Sequence, residues 1–232
     1  VHFISNNTSH SRKDGIRKLQ RLGFDPQPEE MYSALDSTYD YLDQNGIKEI
    51  ALMANPSLEA EARERGFQLW QDENSWDVQD TLNQPQAVIL AFDKTFSWSK
   101  LRWGARLIKR GAQFIATHPD TFCPAIGEYD PDIACLIAAF ETANCSDPIV
   151  IGKPSSLFLK SLLMKYDQDP RRCVVIGDRL YTDIVLANKL GMRSILTLSG
   201  EAKIEDINDI KDDFASQLLP QIVISSVSDL IC

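Results

Sequence analysis

The sequence predicts an α/β protein with a Rossmann-like parallel sheet. Short β-branched runs recur along the chain, and most of them are followed by an apolar pattern with helical spacing. Glycines stand where these helical patterns stop or where the next strand opens, as at Gly23, Gly66 and Gly191. Strands with this apolar texture are typical of parallel sheets, whose neighbouring strands are joined through helices.

The composition is that of an acidic globular chain. Hydrophobic residues make up 44% and charged residues 25% of the 232 positions, with a net charge of -9. No basic stripe is available for phosphate backbones, which argues against a nucleic-acid partner. No run approaches the roughly 18 apolar residues that cross a membrane, so no membrane partner is expected. The five cysteines are odd in number and lack a Cys-x-x-Cys pair, which favours reduced thiols and a cytoplasmic location.

The first β-α unit opens the chain. Residues 1–4 predict a strand, and the apolar spacing over 16–23 predicts a helix. Between them stand Ser5, Asn6 and Asn7. They are either turn residues or hydrogen-bond donors to a phosphate near the helix start, and both interpretations remain open.

A second α/β segment follows. Strands are predicted over 49–53 and 87–92, helices over 36–44, 58–65 and 97–110, and an irregular segment over 70–84. That is enough secondary structure for a small domain of its own. We therefore predict a core of residues 1–33 and 113–232, with a cap domain of residues 34–112 inserted into it.

The strand predicted over 113–117 ends at His118-Pro119-Asp120. Because proline forbids a helical continuation, His118 and Asp120 are placed at a strand tip, where binding residues concentrate. A structural role for this histidine is the alternative. The carboxylates at 130–132 precede a helix predicted over 133–142, and a helix N-terminus explains them.

Lys153 follows another strand, over 149–151, and precedes a helix that runs to about residue 166. The Gly152-Lys153 pair does not belong to a nucleotide P-loop, because Asp147 and Pro154 stand where that motif needs glycine and Ser or Thr. Lys153 is either a solvated charge or the point charge that a phosphate dianion needs.

Residues 174–184 are the most informative stretch. A strand over 174–176 ends in Gly177, and two carboxylates follow, Asp178 and Asp183. Carboxylates at the carboxyl end of a strand suit a hard cation, although an N-cap and a first-turn aspartate would look the same. If this strand and those before Ser5 and Lys153 share one sheet, their polar groups meet at one edge. Together they suit phosphoryl transfer with Mg²⁺.

These motifs also resemble a known family. Ser5-Asn6-Asn7, Gly152-Lys153-Pro154 and the run from Gly177 to Ile184 are similar, in this order, to motifs II, III and IV of haloacid dehalogenase-type phosphatases. The long insertion resembles the C2 cap of the NagD-like, p-nitrophenyl phosphate, phosphoglycolate and pyridoxal phosphate phosphatases. Residues 114–120 also resemble that subgroup.

The resemblance implies hydrolysis of small phosphomonoesters with Mg²⁺ through an aspartyl-phosphate. It implies that Ser5 and Asn6 contact the phosphate and that Lys153 holds the charge of both phosphate and nucleophile. Asp178 would bind Mg²⁺ directly, with Asp183 in support. Asn7, His118 and Asp120 would lie near the cleft between cap and core, as substrate-binding residues.

The family's first motif, a strand ending in Asp-x-Asp-Gly, does not occur before Ser5. We therefore expect the nucleophile to lie upstream of Val1. The alternative function is a catalytically inactive relative that binds a phosphorylated metabolite or a partner protein. The resemblance also implies that a homodimer through the cap is possible.

Overall fold

A computed structural model describes residues 1–70, 84–124, 127–143, 145–210 and 213–230. The chain forms two compact units, residues 1–152 and 153–232. The strands, in chain order, are β1 (Phe3–Ser5), β2 (Met31–Ser33), β3 (Glu49–Met53), β4 (Gln68–Leu69), β5 (Ala87–Leu90), β6 (Gln113–Ala116), β7 (Phe122–Pro124), β8 (Tyr129–Pro131), β9 (Ile149–Val150), β10 (Val174–Gly177), β11 (Arg193–Thr197) and β12 (Ile222–Ile224). The α-helices are α1 (Arg12–Arg21), α2 (Ala34–Gln44), α3 (Pro56–Glu64), α4 (Trp98–Lys109), α5 (Ile133–Thr142), α6 (Leu157–Lys165), α7 (Val185–Lys189) and α8 (Ile204–Asn208).

The first unit is built on a five-stranded parallel sheet with the order β4-β3-β5-β6-β9. All four residues of the central strand β5 are buried, which explains why its sequence is uniformly apolar. Helices α4 and α5 cover this sheet, and Phe140 lies 5.0 Å from Phe114 between ring centroids. Separately, β1 pairs in parallel with β2, and β7 pairs antiparallel with β8.

The second unit contains a three-stranded parallel sheet with the order β10-β11-β12. Strand β10 ends at Gly177, and a π-helical turn over Leu180–Ile184 leads into α7. Ile184 is fully buried and packs with Leu196 of β11, so the apolar residue after the second carboxylate fixes the turn to the sheet. The paired carboxylates therefore stand on a short, anchored segment.

The α/β class predicted from the sequence is confirmed, and the helix over Ile133–Thr142 has the predicted bounds. The sequence analysis missed β2, whose three residues are too few to show a pattern, and the β7–β8 pair. The predicted irregular segment over 70–84 lies almost wholly outside the described residues. No helix within the described ranges is both long and apolar enough to cross a membrane.

The structure groups the chain differently from the predicted core and cap. Strands β6 and β9, assigned to the core from sequence, extend the sheet that is formed by the strands of residues 34–112. The compact units divide after Gly152 rather than after residue 112. Backbone pairing of β5 with β6, as of Ile89 with Ile115, is the physical reason, since it ties β6 to the inserted segment, and the pairing of Ile115 with Ile149 adds β9 to the same sheet. Core and cap as functional domains stay a prediction.

The single sheet that would join the strands before Ser5, Lys153 and Asp178 is not found among the described strands. Strand β1, which leads to Ser5, pairs with β2; β9, which leads to Lys153, pairs with β6; and β10, which leads to Asp178, pairs with β11. The three strands belong to three separate sheets. Predicted site residues are brought together within each unit, as described below.

Candidate active-site residues

The loop after β1 is held by its own polar side chains. Ser5 Oγ accepts the backbone N–H of Asn7 at 3.1 Å. Asn7 Oδ1 accepts the backbone N–H and the hydroxyl of Ser9 at 2.9 and 2.7 Å. These are the local hydrogen bonds that serine and asparagine make in turns. Ser5 and Asn7 therefore act at least as turn residues.

Asn6 differs from its neighbours because it is buried and reaches a distant part of the chain. Its Nδ2 donates to Asp120 Oδ1 at 3.1 Å, across 114 positions of sequence. A side chain at position 152 would be blocked, since a Cβ on Gly152 would lie 2.8 Å from Asn6 Oδ1 and 2.4 Å from the Thr117 carbonyl oxygen. Gly152 therefore allows the backbone after β9 to approach this loop closely within the first unit.

His118 is 1% exposed and stands among polar groups. Its Nε2 lies 3.1 Å from Thr8 Oγ1, which also accepts the backbone N–H of Phe92 at 3.1 Å. Its Nδ1 lies 3.7 Å from Asp120 Oδ2, and its Nε2 lies 3.9 Å from Asp132 Oδ1. The two predicted residues of this strand tip, His118 and Asp120, are thus brought together with Asn6 and with two residues that the sequence analysis did not assign to a site.

Cys123 lies near this cluster of acidic groups. Burial raises the pKa of its thiol, and the negative charges of Asp132 and Asp130 raise that pKa further. The thiol therefore stays protonated at neutral pH. Because the thiolate is the nucleophilic form, the raised pKa argues against Cys123 as an activated nucleophile.

In the second unit, Lys153 and Asp183 form a buried ion pair. Lys153 Nζ donates to Asp183 Oδ1 at 2.7 Å, and the two side chains are 12% and 7% exposed. The other Asp183 oxygen accepts the backbone N–H of Arg179 at 3.2 Å. Two residues that the sequence analysis selected independently therefore share one site, and the turn that follows β10 orients the carboxylate.

Asp178 is positioned by backbone groups. Its Oδ2 accepts the N–H of Glu201 at 3.0 Å, and its carbonyl oxygen accepts the N–H of Ala202 at 3.0 Å. Glu201 is itself tied to this turn, because its carboxylate accepts from Arg179 Nε and from the Tyr181 hydroxyl, each at 2.6 Å. The segment after β11 thus closes onto the turn after β10 and fixes Asp178.

Two glycines make this packing of the carboxylates feasible. A Cβ on Gly177 would lie 2.3 Å from Asp183 Cβ, and a Cβ on Gly200 would lie 2.2 Å from Asp178 Oδ2. Both distances are shorter than any van der Waals contact. Each aspartate therefore occupies space that only glycine leaves open.

The residues present fit a hard divalent cation. Asp178 and Asp183 supply carboxylate oxygens, the ligands that Mg²⁺ prefers. Thr182, between them in the π-helical turn, is 2% exposed, and its Oγ1 has no hydrogen-bond partner within the part of the chain that the structure describes. A buried hydroxyl of this kind needs a polar partner such as a metal-bound water. Thr182 belongs to the run from Gly177 to Ile184 that carries the family resemblance, but the sequence analysis gave it no role of its own.

Replacing Gly200 by alanine is expected to displace Asp178. The added methyl group would overlap the Asp178 carboxylate, and the hydrogen bonds from the Glu201 and Ala202 N–H groups to Asp178 hold the two segments close together. We expect a loss of Mg²⁺ affinity, measured as a weaker Mg²⁺-dependent rise in Tm.

Gly15→Ala is the matched control. A Cβ there meets only the flexible end of the Met31 side chain at 3.0 Å, inside helix α1. Alanine in a helix is neutral or stabilising. An unchanged Mg²⁺ response in the Gly200→Ala variant would show that Asp178 does not depend on this close contact.

Two family models match the chain. A model described as haloacid dehalogenase-like hydrolase matches residues 1–68, and a model described as HAD-hydrolase-like matches residues 150–230. The glycerol-3-phosphate phosphatase of Gallus gallus is 30% identical over 99% of this chain and 79% of its own length. Human chronophin is 30% identical over 98% of this chain and 79% of its own length.

Two solved structures match almost the whole chain. The 4-nitrophenylphosphatase of Thermotoga maritima is 31% identical, with a TM-score of 0.85, over 99% of this chain and 82% of that chain. NagD from Escherichia coli is 25% identical, with a TM-score of 0.83, over 99% of this chain and 84% of that chain. Lys153 and Asp178 lie inside the second matched region, and Ser5 and Asn6 lie inside the first.

Proposed function

This chain belongs to the haloacid dehalogenase-like phosphatases, in the NagD-like subfamily, and from that membership we propose a Mg²⁺-dependent hydrolysis of small phosphomonoesters through an aspartyl-phosphate. The observation that carries the proposal is the buried ion pair of Lys153 with Asp183, an aspartate in the turn that directly follows Asp178. A fixed cation and two fixed carboxylates are what a phosphate dianion and a hard metal ion require.

In this proposal Lys153 is the residue that neutralises charge. Its ammonium group is held by Asp183 at 2.7 Å, so it is already oriented before a phosphate arrives. It can stabilise a phosphate oxygen and the carboxylate nucleophile at the same time, because an ammonium group has three donors. Preorganisation of this kind is worth most in a site from which water is excluded.

Asp178 is the proposed direct ligand of Mg²⁺, and Asp183 is its support. Bound Mg²⁺ would neutralise phosphate charge and orient the phosphoryl group for in-line attack. The Glu201 backbone N–H fixes one Asp178 oxygen. Asp183 links this metal site to Lys153, the proposed phosphate-binding cation. One of its oxygens accepts from Lys153 Nζ, and the other accepts the backbone N–H of Arg179.

Ser5, Asn6 and Asn7 are the proposed phosphate-binding loop. The turn bonds of Ser5 and Asn7 hold the loop in one conformation, and Asp120 accepts a hydrogen bond from Asn6. Asp120 thereby sets the direction of the Asn6 amide. Direct substrate contacts by His118 and Asp120 stay a prediction, as do the cap-mediated homodimer and the cytoplasmic location.

The substrate class follows from the relatives. The names glycerol-3-phosphate phosphatase and 4-nitrophenylphosphatase both describe small phosphomonoesters. We propose a substrate of that size for this protein as well. The net charge of -9 disfavours large polyanions, which would meet a repulsive field.

Phosphate release from p-nitrophenyl phosphate tests this function. We expect the full-length product of the gene to release phosphate with Mg²⁺ and to stop when a chelator removes the metal. Added Mg²⁺ should restore the rate. A full-length product that binds a phosphorylated compound but never turns it over would instead establish the inactive binding protein.

A further inference from the structure

We propose that His118, Asp120 and Asp132 form a second metal site, for Zn²⁺, in the first unit. One ligand atom from each side chain lies within 4.8 Å of the others. None of the three belongs to the carboxylate pair assigned above to Mg²⁺. The proposal does not rest on the phosphatase function, since a bound zinc ion could equally be structural.

The separations between the side chains suit one bound ion. His118 Nδ1 is 3.7 Å from Asp120 Oδ2, and His118 Nε2 is 3.9 Å from Asp132 Oδ1. Bonds from zinc to nitrogen and oxygen are about 2.0 to 2.2 Å, so two of its ligands lie at most about 4 Å apart. These two distances involve different nitrogens of the ring, but one ligand atom from each of the three side chains lies within 4.8 Å of the others, so side-chain movements of about 1 Å would bring the three to one ion.

His118 and Asp132 are buried, and Asp120 is partly buried. His118 is 1% exposed, and the side chains of Asp120 and Asp132 are 10% and 7% exposed. His118 and Asp120 follow β6, Asp132 is the N-cap of α5, and both elements pack in the hydrophobic core of the unit. A site built on sheet and helix ends holds its ligands in place before the ion binds.

Each proposed ligand is oriented by a further hydrogen bond. Thr8 Oγ1 lies 3.1 Å from His118 Nε2, Asn6 Nδ2 donates to Asp120 Oδ1 at 3.1 Å, and the Ile133 N–H donates to Asp132 Oδ1 at 2.7 Å. Metal sites in proteins show such orienting partners, which fix ring and carboxylate directions. An N-cap at Asp132 accounts for the bond from Ile133 but not for the contacts of His118 and Asp120.

The types of ligand atom favour Zn²⁺ over Mg²⁺. One imidazole nitrogen with carboxylate oxygens is a ligand combination that Zn²⁺ accepts, whereas Mg²⁺ is held by oxygens alone. With three protein ligands, a tetrahedral ion keeps one position for water or another small ligand.

Zinc binding is measured on the chain with Asp178→Asn, which removes the proposed Mg²⁺ ligand, and on the wild type. We expect one Zn²⁺ per chain in both, and a rise in Tm with Zn²⁺ concentration. His118→Asn and Asp132→Asn should each lower the affinity by at least about 100-fold. Thr8→Val, which removes only the orienting hydroxyl, should lower it by about 10- to 100-fold.

His10→Asn and Asp130→Asn are the matched controls, because both side chains belong to exposed residues of the same unit. They should leave Zn²⁺ affinity unchanged. A wild-type chain that binds no Zn²⁺, or a His118→Asn chain that binds it undiminished, overturns the proposal.

Co²⁺ provides a readout that does not depend on variants folding. Bound to the wild-type chain, it should give the visible spectrum of a nitrogen and oxygen site. A thiolate-to-cobalt charge-transfer band would assign the metal to cysteines and overturn the proposal.

Discussion

Replacing Lys153 by methionine is expected to lower kcat/KM for a phosphomonoester by about 10²- to 10³-fold, because the preorganised cation is lost. The same change leaves the Asp183 carboxylate, 7% exposed, without the ammonium group that now lies 2.7 Å away. Removing one member of a buried pair costs about 3 to 5 kcal/mol of unfolding free energy. Chemical denaturation measures that loss.

The double variant Lys153→Met, Asp183→Asn separates the two effects. It removes both charges, so we expect much of the lost stability to return while activity stays low. Lys160→Met, at an exposed position of α6, is the control and should retain both properties. Full activity in the Lys153→Met variant would show that the phosphate charge is met by another group.

Replacing Asp178 by asparagine is expected to abolish activation by Mg²⁺. Asparagine keeps the shape and an oxygen for the Glu201 N–H, which lies 3.0 Å from Asp178 Oδ2, but it removes the negative charge that attracts the ion. We expect the Mg²⁺-dependent rise in Tm to disappear and kcat/KM to fall by at least about 10²-fold, the scale of losing one electrostatic contributor.

Asp209→Asn is the matched control for this variant, since Asp209 is an exposed residue of the same unit. It should leave the Mg²⁺ response and the activity unchanged. If Asp178→Asn loses activity but keeps the full Mg²⁺-dependent rise in Tm, Asp178 acts in the reaction without binding the metal.

The sequence was informative about the candidate site because its signals are local. A β-branched run ending in glycine predicts the end of a strand, and Asp178 and Asp183 stand directly after such a run. Ser5 is likewise the last residue of β1, and Lys153 follows β9 within a few residues. The residue types then indicate the chemistry without any knowledge of their neighbours in space.

Contacts between distant residues could not be predicted in this way. Thr8 lies next to His118 across 110 positions, and Asn6 bonds Asp120 across 114. Thr8 carried no signal, because a threonine in a loop is common and its partner is not encoded nearby. Asp132 was predicted at the start of a helix, and it is the N-cap of α5. Its approach to His118 depends on how α5 packs on the sheet.

The sequence by itself thus determined the α/β class, the family resemblance and the chemical character of the strand-end residues, since local patterns set these. Only the tertiary structure decided that Lys153 is paired with Asp183 and that the strands leading to the site belong to three sheets. It also decided that residues 113–150 pair with the inserted segment rather than leave it. Strand pairing and side-chain packing join residues far apart in the chain, and any buried apolar strand can satisfy the same local pattern with several partners.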